Sequence, residues 1–331
     1  MTCRIGINGL GRIGRMALRR ALALPEVEVV AVNDRAQIGE LAYLLKYDSV
    51  HGPLPGDVSE DGQVMRVDGK TIRCFAESEP AKIPWSMVGV DVILEATGAF
   101  RGRADAAQHL QGGARKVLIS APSDDVDVTI VPGVNDAHYD STRHHVISMA
   151  SCTTNSLAPV AKVLQGAFGI VHLFITTVHA YTTSQAIMDK PTRHRRRGRA
   201  GALSMIPTST GAAKATALVL PELAGKMDGM AIRVPVPDGS VTDIVAELAT
   251  RTNAEEINAR LRAAAQVPPL QGILAVSDDE LVSVDIIGNP HSSIIDAPST
   301  SVIDGTMAKV LAWYDNEWGY ACRLVELAGR L

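Results

Sequence analysis

Cys152 stands within Ala150-Ser151-Cys152-Thr153-Thr154-Asn155, a thiol among small hydroxyl and amide side chains near the middle of the chain. The residues that follow put Leu157, Val160, Ala161 and Leu164 at helical spacing, so Cys152 is expected at or beside a helix N-terminus. Unpaired N–H groups and the helix dipole at such a terminus favour the thiolate, which is the nucleophilic form. That placement suits covalent catalysis. Most unpaired cysteines are instead buried small hydrophobes, and a lone thiol does not decide between the two.

A second chemical motif opens the chain. Arg4-Ile5-Gly6-Ile7-Asn8 reads as a short apolar strand running into Gly9-x-Gly11-x-x-Gly14, with a helical stretch from Arg12 to about Leu24 behind it. The three glycines supply a tight turn, backbone approach to a pyrophosphate, and close helix-on-strand packing. The next strand, Val27 to Asn33, ends at Asp34, about twenty residues past the last glycine, where an acid binds the adenosine ribose hydroxyls. Strand, glycine turn, helix and acid together point to a dinucleotide site. The acid favours NAD, while Arg35 beside it could accept the extra phosphate of NADP, so NAD is the first choice and NADP the second.

The elements that must hold these groups alternate through about residue 150. A helix is expected at Gly39 to Tyr47, then strands at Gln63 to Val67 and Thr71 to Phe75 joined by Asp68-Gly69. A strand at Val90 to Glu95, a helix at Ala104 to Gln111 and a strand at Lys116 to Ser120 follow. This alternation implies a doubly wound, mostly parallel sheet of Rossmann type. Beyond Cys152 the pattern turns to strands: Val171 to Ala180, Gly229 to Val236, Val241 to Thr250, Ile273 to Ser277, Val282 to Ile287 and Thr306 to Tyr314. One helix at Ala254 to Ala265 interrupts them, residues 181–204 lack periodicity, and Trp318 to Leu331 closes the chain as a helix. The second half is therefore expected to be an α+β domain with a mixed or antiparallel sheet. The fold class is α/β for residues 1–151, completed by a C-terminal helix at 317–331, with 152–316 as the catalytic domain.

Composition limits the function classes. The chain has 331 residues, enough for two cores, with 46% hydrophobic and 21% charged residues. A net charge of -4 gives no broad pull toward nucleic acid or an anionic membrane. No apolar run approaches a membrane span, and the first strand leaves no room for a signal peptide. Cys3, Cys74, Cys152 and Cys322 are scattered, with neither metal-ligand spacing nor a disulfide framework, which leads to the expectation of a reduced, cytoplasmic protein without a metal.

Five long stretches carry a family resemblance that covers the chain end to end. They are Ile7 to Arg15, Ala150 to Asn155, Thr177-Val178-His179-Ala180-Tyr181-Thr182, Pro207 to Lys214, and Trp313-Tyr314-Asp315-Asn316-Glu317-Trp318-Gly319-Tyr320. By these the chain resembles the phosphorylating glyceraldehyde-3-phosphate dehydrogenases. The resemblance implies Cys152 as the nucleophile that forms a hemithioacetal, with His179 as its base, first in a thiolate–imidazolium pair. It implies hydride transfer to a nicotinamide held by Asn316, then phosphorolysis of a thioester to 1,3-bisphosphoglycerate. Thr182, Arg197 and Arg233 match the site for the substrate phosphate; Ser151, Thr153, Thr210 and Gly211 match the site for the attacking phosphate. Arginine forks and neutral donors suit these anions. Gly9, Gly11, Arg12, Ile13, Asp34, Thr97 and Ser120 match cofactor contacts. Glyceraldehyde 3-phosphate, inorganic phosphate and three further copies of the chain, as a homotetramer, are the implied partners.

Departures from the family pattern sit at Ser156, where relatives often have a second cysteine, and at Ser78, where they often have a basic residue near the adenine. Arg193-His194-Arg195 makes the loop before Arg196 and Arg197 unusually basic. Lys190 in that loop, with Arg35, argues for NADP; Asp34 and Pro191 argue for NAD. Two other readings compete. One is the non-phosphorylating erythrose-4-phosphate dehydrogenases, which share the Cys/His pair but not the intact block Thr210 to Lys214. The other is a cofactor-sensing binding protein without catalysis, against which the retained Cys152, His179 and Arg233 weigh.

Overall fold

A computed structural model describes residues 2–331, which separate into two compact units. The first comprises residues up to Ile130 with Ala137–Ala150 and Tyr320–Leu331; the second comprises Val131–Asp136 and Ser151–Gly319. Among the described residues no helix is long and apolar enough to cross a membrane.

The first unit is built on a nine-stranded sheet. In chain order its strands are β1 (Cys3–Asn8), β2 (Val27–Asn33), β3 (Val58–Asp61), β4 (Val64–Val67), β5 (Lys70–Phe75), β6 (Val92–Glu95), β7 (Lys116–Ile119), β8 (Val128–Thr129) and β9 (Val146–Ser148). Their order across the sheet is β3-β4-β5-β2-β1-β6-β7-β9-β8. The run from β5 to β8 is parallel, and β3 and β4 add an antiparallel edge. Parallel strands need crossovers. Helix α1 (Arg12–Leu22) supplies the first and is buried around most of its circumference, with Met16, Ala17, Leu18 and Ala21 as its apolar contacts. Helix α2 (Ile38–Lys46) follows β2. The helix expected at Ala104 to Gln111 is two short ones, α3 (Arg103–Ala106) and α4 (Gln108–Gln111). Strands β3, β8 and β9 were not foreseen, because two to four residues are too short to display a period.

The main segment of the second unit opens with α5 (Cys152–Phe168). Ser151 caps it, its Oγ accepting from Thr154 N–H at 3.1 Å. Leu157, Val160, Ala161 and Leu164 are fully buried, each large apolar one contributing roughly 1.5–3 kcal/mol. Their partner is a seven-stranded mixed sheet: β10 (Ile170–Ala180), β11 (Ile206–Ser209), β12 (Met227–Val234), β13 (Ser240–Leu248), β14 (Leu274–Ser277), β15 (Ser293–Ile303) and β16 (Met307–Tyr314). Strand β10 pairs parallel with β12 and antiparallel with β13. Helices α6 (Ala212–Val219) and α7 (Ala254–Ala265) accompany it.

One expectation is corrected here. Val282 to Ile287 is not a strand; it forms the short helix α8 (Ser283–Ile286). Asp285 folds back so that its Oδ2 accepts from Val282 N–H at 2.9 Å, capping the turn, and Val282 and Val284 remain exposed. β-branched residues without a partner strand have no pleated surface to pack on. The sequence hid two strands: the four-residue β11, and β15, where Pro298 and Ser/Thr residues mask alternation and the pairing with β16 shifts register between Asp296 and Ser301. The last helix is α9 (Trp318–Ala328); from Tyr320 onward it belongs to the first unit, where Tyr320 OH donates to Ala150 O at 2.9 Å.

Candidate active site

Strand register builds the chemical centre of the second unit. Pairing of β10 with β12 sets His179 opposite Arg233, and pairing of β11 with β12 sets Ile206 on the other side of Arg233. Cys152 is the first residue of α5, and its Sγ lies 3.5 Å from His179 Nε2. Just before it, Ala150 adopts φ 55°, a left-handed conformation that costs a residue with a Cβ about 1 kcal/mol or more.

His179 is buried. Its Nδ1 lies 2.7 Å from Ala180 O, and Arg233 Nη1 lies 2.6 Å from the same Nδ1 while donating to Ala180 O at 2.8 Å. Desolvation and then the Arg233 charge push the imidazole down to about 3, against a small opposing effect of Ala180 O. Desolvation likewise pushes the Cys152 thiol above its ordinary value, although the Arg233 charge and the Thr153 hydroxyl and N–H pull it back. Desolvation in the free protein therefore works against the thiolate–imidazolium pair that the resemblance implies. Desolvation opposes the charge on both groups, while Arg233 favours the thiolate but opposes the imidazolium.

Tyr314 is a member of this centre for which no role was foreseen. Its hydroxyl bridges Thr153 Oγ1 at 2.9 Å and Thr177 Oγ1 at 2.8 Å, and its ring meets His179 edge-on at 5.9 Å. The Thr153 side chain thus points at Tyr314, inside the protein. The signal was present in the Trp313-to-Tyr320 block, but a tyrosine at a strand end reads as ordinary core.

The other anion-binding candidates lie on loops. Arg197, in the turn Arg195–Gly198, donates through Nε to Thr208 Oγ1 at 2.9 Å and through Nη2 to Ser209 O at 3.5 Å, which brings it beside Thr210 and Gly211. Gly211 caps α6, and Thr210 Oγ1 accepts from Ala212 N–H at 3.2 Å, so an anion would meet a helix N-terminus there. Thr182 is engaged with its own loop, through Ser184 Oγ at 2.9 Å and Gln185 Oε1 at 3.2 Å. Ser240 Oγ accepts from Ala180 N–H at 3.1 Å and donates to Asn316 Oδ1 at 2.5 Å. That bond fixes the Asn316 amide with its NH2 turned away from Ser240. Nearby, burial and then the Asp315 carboxylate raise Asp238 to about 9. Asp315 itself accepts N–H groups of Gly288, Glu317 and Trp318 at 2.7, 2.9 and 2.6 Å, so Asp238 is the member that keeps a proton.

In the first unit a cavity of about 390 Å³ opens at the C-terminal ends of β1, β2 and β6, lined by Gly9, Gly11, Asp34, Arg35, Thr97 and Phe100 among others. Gly9 has φ 94°, and a Cβ there would come 2.8 Å from Thr97 N. A Cβ on Gly14 would strike Gly9 O at 1.9 Å, whereas one on Gly11 would meet nothing within 4 Å. The turn is therefore packed from behind and open in front, which fits a pyrophosphate laid on the start of α1. Asp34 is anchored, Oδ2 accepting from Leu10 N–H at 2.8 Å and Oδ1 from Ala36 N–H at 3.0 Å. Arg12 commits its guanidinium to Asp48, Nη2 donating to Oδ1 at 3.1 Å. Burial opposes ionisation of Asp48, but Arg12 and the N–H groups of His51 and Val50 hold it well below the usual carboxylate range. What Arg12 and Ile13 offer a ligand is thus the first turn of α1. Ser120 donates through Oγ to Glu95 O at 3.0 Å.

The chain matches two family models. Residues 3–103 match the glyceraldehyde 3-phosphate dehydrogenase NAD binding domain, and residues 151–316 match the glyceraldehyde 3-phosphate dehydrogenase C-terminal domain. It is 57% identical over 328 residues to glyceraldehyde-3-phosphate dehydrogenase of Geobacillus stearothermophilus and to glyceraldehyde-3-phosphate dehydrogenase 1 of Bacillus subtilis, covering 99% of this chain and 98% of each relative. The enzyme of Streptomyces coelicolor is 54% identical over the same span.

Proposed function

The chain belongs to the glyceraldehyde-3-phosphate dehydrogenase family, and on that premise we propose how its residues carry out the reaction. It is an oxidoreductase with the family's NAD-binding domain. The observation that carries the reading is the contact of Cys152 Sγ with His179 Nε2 at the start of α5.

His179 takes the Cys152 proton as sulfur attacks the aldehyde carbon, and returns it to the oxygen of the hemithioacetal. For this Nε2 must be free of hydrogen, so Nδ1–H must donate to Ala180 O and Arg233 must turn aside. The substrate phosphate gives Arg233 a stronger partner, a charge-assisted fork in place of a ring nitrogen. Removing the charge from the imidazole also raises its basicity, which suits the next step, abstraction of the hemithioacetal O–H proton. NAD, when bound, accepts the hydride lost from that carbon. The product is a thioester on Cys152; inorganic phosphate attacks its carbonyl carbon and sulfur leaves as thiolate. Thr210, Gly211 and the N-terminus of α6 hold the attacking phosphate, with Ser151 and Thr153 contributing from the start of α5. Arg197, Thr182 and Arg233 hold the substrate phosphate, and the Asn316 NH2, oriented by Ser240, would hold the carboxamide of the nicotinamide.

Residues 1–151 with 317–331 serve as the cofactor domain and 152–316 as the catalytic domain. NAD is the cofactor, because an anchored Asp34 carboxylate repels a 2′-phosphate more than exposed Arg35 attracts it. The enzyme works as a homotetramer in the cytoplasm. The segment after β10 supports the first statement with Ile187, Met188, Leu203 and Met205, 71–87% exposed and ready to be covered by another copy. Four free cysteines support the second, with burial raising Cys3 and Cys74 to about 11.

Turnover of glyceraldehyde 3-phosphate with NAD or NADP, each with and without inorganic phosphate, tests the reading. Phosphate-dependent reduction of NAD is expected. Turnover indifferent to phosphate would favour the erythrose-4-phosphate reading, and a preference for NADP would remove Asp34 from its role.

A further inference from the structure

Beneath the dinucleotide cavity runs a chain of buried polar groups that the reaction does not use. Its centre is Glu95, the last residue of β6, and His109 of α4, 1% and 0% exposed. Glu95 Oε1 accepts from Thr97 N–H at 2.8 Å and from Thr97 Oγ1. Glu95 Oε2 accepts from Asn8 Nδ2 at 2.6 Å and lies 3.0 Å from His109 Nε2.

The protons of this chain are determined by one donor. Trp85 Nε1–H points at His109 Nδ1, 3.1 Å away. An indole nitrogen only donates, so Nδ1 accepts and Nε2 carries the hydrogen that goes to Glu95. From Asn8 the chain continues across the sheet: Asn33 Nδ2 donates to Asn8 Oδ1 at 2.8 Å and to Glu77 O at 3.0 Å, and Asn33 Oδ1 accepts Glu77 N–H at 2.8 Å. Asn8, Asn33, Glu77 and Thr97 all line the cavity.

We infer that Glu95 and His109 are positioning residues for the dinucleotide, because one carboxylate ties together the two lips of its cleft. One lip is the glycine turn after β1, which Asn8 begins. The other is the turn Thr97-Gly98-Ala99 after β6, where Ala99 N–H donates to Thr97 Oγ1 at 3.1 Å. The lips meet backbone to backbone at Gly9 and Thr97, and the carboxylate sets their register by taking donors from both. His109 fixes that carboxylate and places its ring edge-on to Phe100, a further lining residue, at 6.5 Å. Both lie behind the residues that line the cavity. This inference rests on reading the cavity as the dinucleotide site.

Glu95→Gln is informative because no rotamer of glutamine fits. Its NH2 must face either Thr97 N–H or His109 Nε2–H, and each is a donor that cannot turn away. His109→Phe keeps the ring and removes both nitrogen contacts. The experiment measures the dissociation constant for NAD by calorimetry, kcat and KM for NAD, and Tm, with cofactor-free alkylation of Cys152 as the control. Weakening of NAD binding by about tenfold or more in both variants, with kcat within about twofold and alkylation unchanged, is expected. Trp85→Phe, which leaves His109 and Glu95 in place but releases the tautomer, should weaken NAD binding by a few fold and serves if the stronger variants fold poorly. NAD affinity within twofold of wild type, whatever happens to Tm, would overturn the inference and leave a merely structural network. Failure of the wild-type protein to bind NAD would instead overturn the reading of the cavity.

Discussion

The cofactor cleft and the thiol centre handle buried polar groups in opposite ways. In the cleft every partner of the Glu95 carboxylate is a donor, and the neighbouring ring has one tautomer. At the thiol centre a buried imidazole is crowded by a guanidinium, and the half-buried thiol beside it is pushed up by desolvation. A binding surface must have one shape before the ligand arrives, and saturated hydrogen bonding provides it. A catalytic pair must change protonation state during the reaction, and here desolvation opposes the charged form of both partners, so substrate binding has to shift that balance. The lesson is that satisfaction marks the scaffold of this protein and tension marks its chemistry.

The sharpest way to break that contrast is to remove the nucleophile. Cys152→Ser should lower kcat by roughly 10⁴-fold or more while NAD affinity, measured by calorimetry, stays at the wild-type value. Retention of appreciable turnover would take the chemistry away from Cys152, and a loss of NAD affinity would show that the two regions are not separable.

Arg233→Gln should act next most strongly. With Arg233 on the substrate phosphate as proposed, loss of a charge-assisted fork is worth about 1.5–3 kcal/mol, so KM for glyceraldehyde 3-phosphate should rise by roughly ten- to a hundredfold. The Arg233 charge also depresses His179. Its removal should therefore move the acid limb of the kcat/KM profile to higher pH. An unchanged KM would place the substrate phosphate elsewhere, and an acid limb that stays put would remove Arg233 as the source of the tension.

The smallest effect concerns stability. Asp238 is buried and raised to about 9 from 3.8, so the folded protein holds a proton that the unfolded chain releases. Its contribution is fully present below about pH 4 and is lost progressively as pH rises toward 9. Asp238→Asn should raise Tm by a few degrees at pH 8, and the gain should vanish as pH approaches 4. An equal gain at both pH values would mean that the effect is packing and not proton release.

Much of this was legible in the residues. The glycine turn, the capped start of α5 and the strands β1, β2, β10 and β16 all announce themselves, because local sterics and periodicity act over a few residues. Strand β15 and helix α6 did not, since neither displays a clean period and both are held in place by neighbours distant in the chain. The false strand at Val282 to Ile287 failed for the converse reason, a β-rich composition with no partner strand.

The sequence by itself determined that Cys152 begins a helix, that Gly9, Gly11 and Gly14 make a tight turn between β1 and α1, and that Asp34 follows the second strand. Each follows from backbone freedom, capping or spacing within about twenty residues. Only the tertiary structure decided that Arg233 meets His179, that Tyr314 stands behind the pair, and that the Glu95 carboxylate takes donors from Asn8, Thr97 and His109. Those contacts depend on strand register and on burial, which together set the charge states, and both are properties of the assembled sheet, not of any segment.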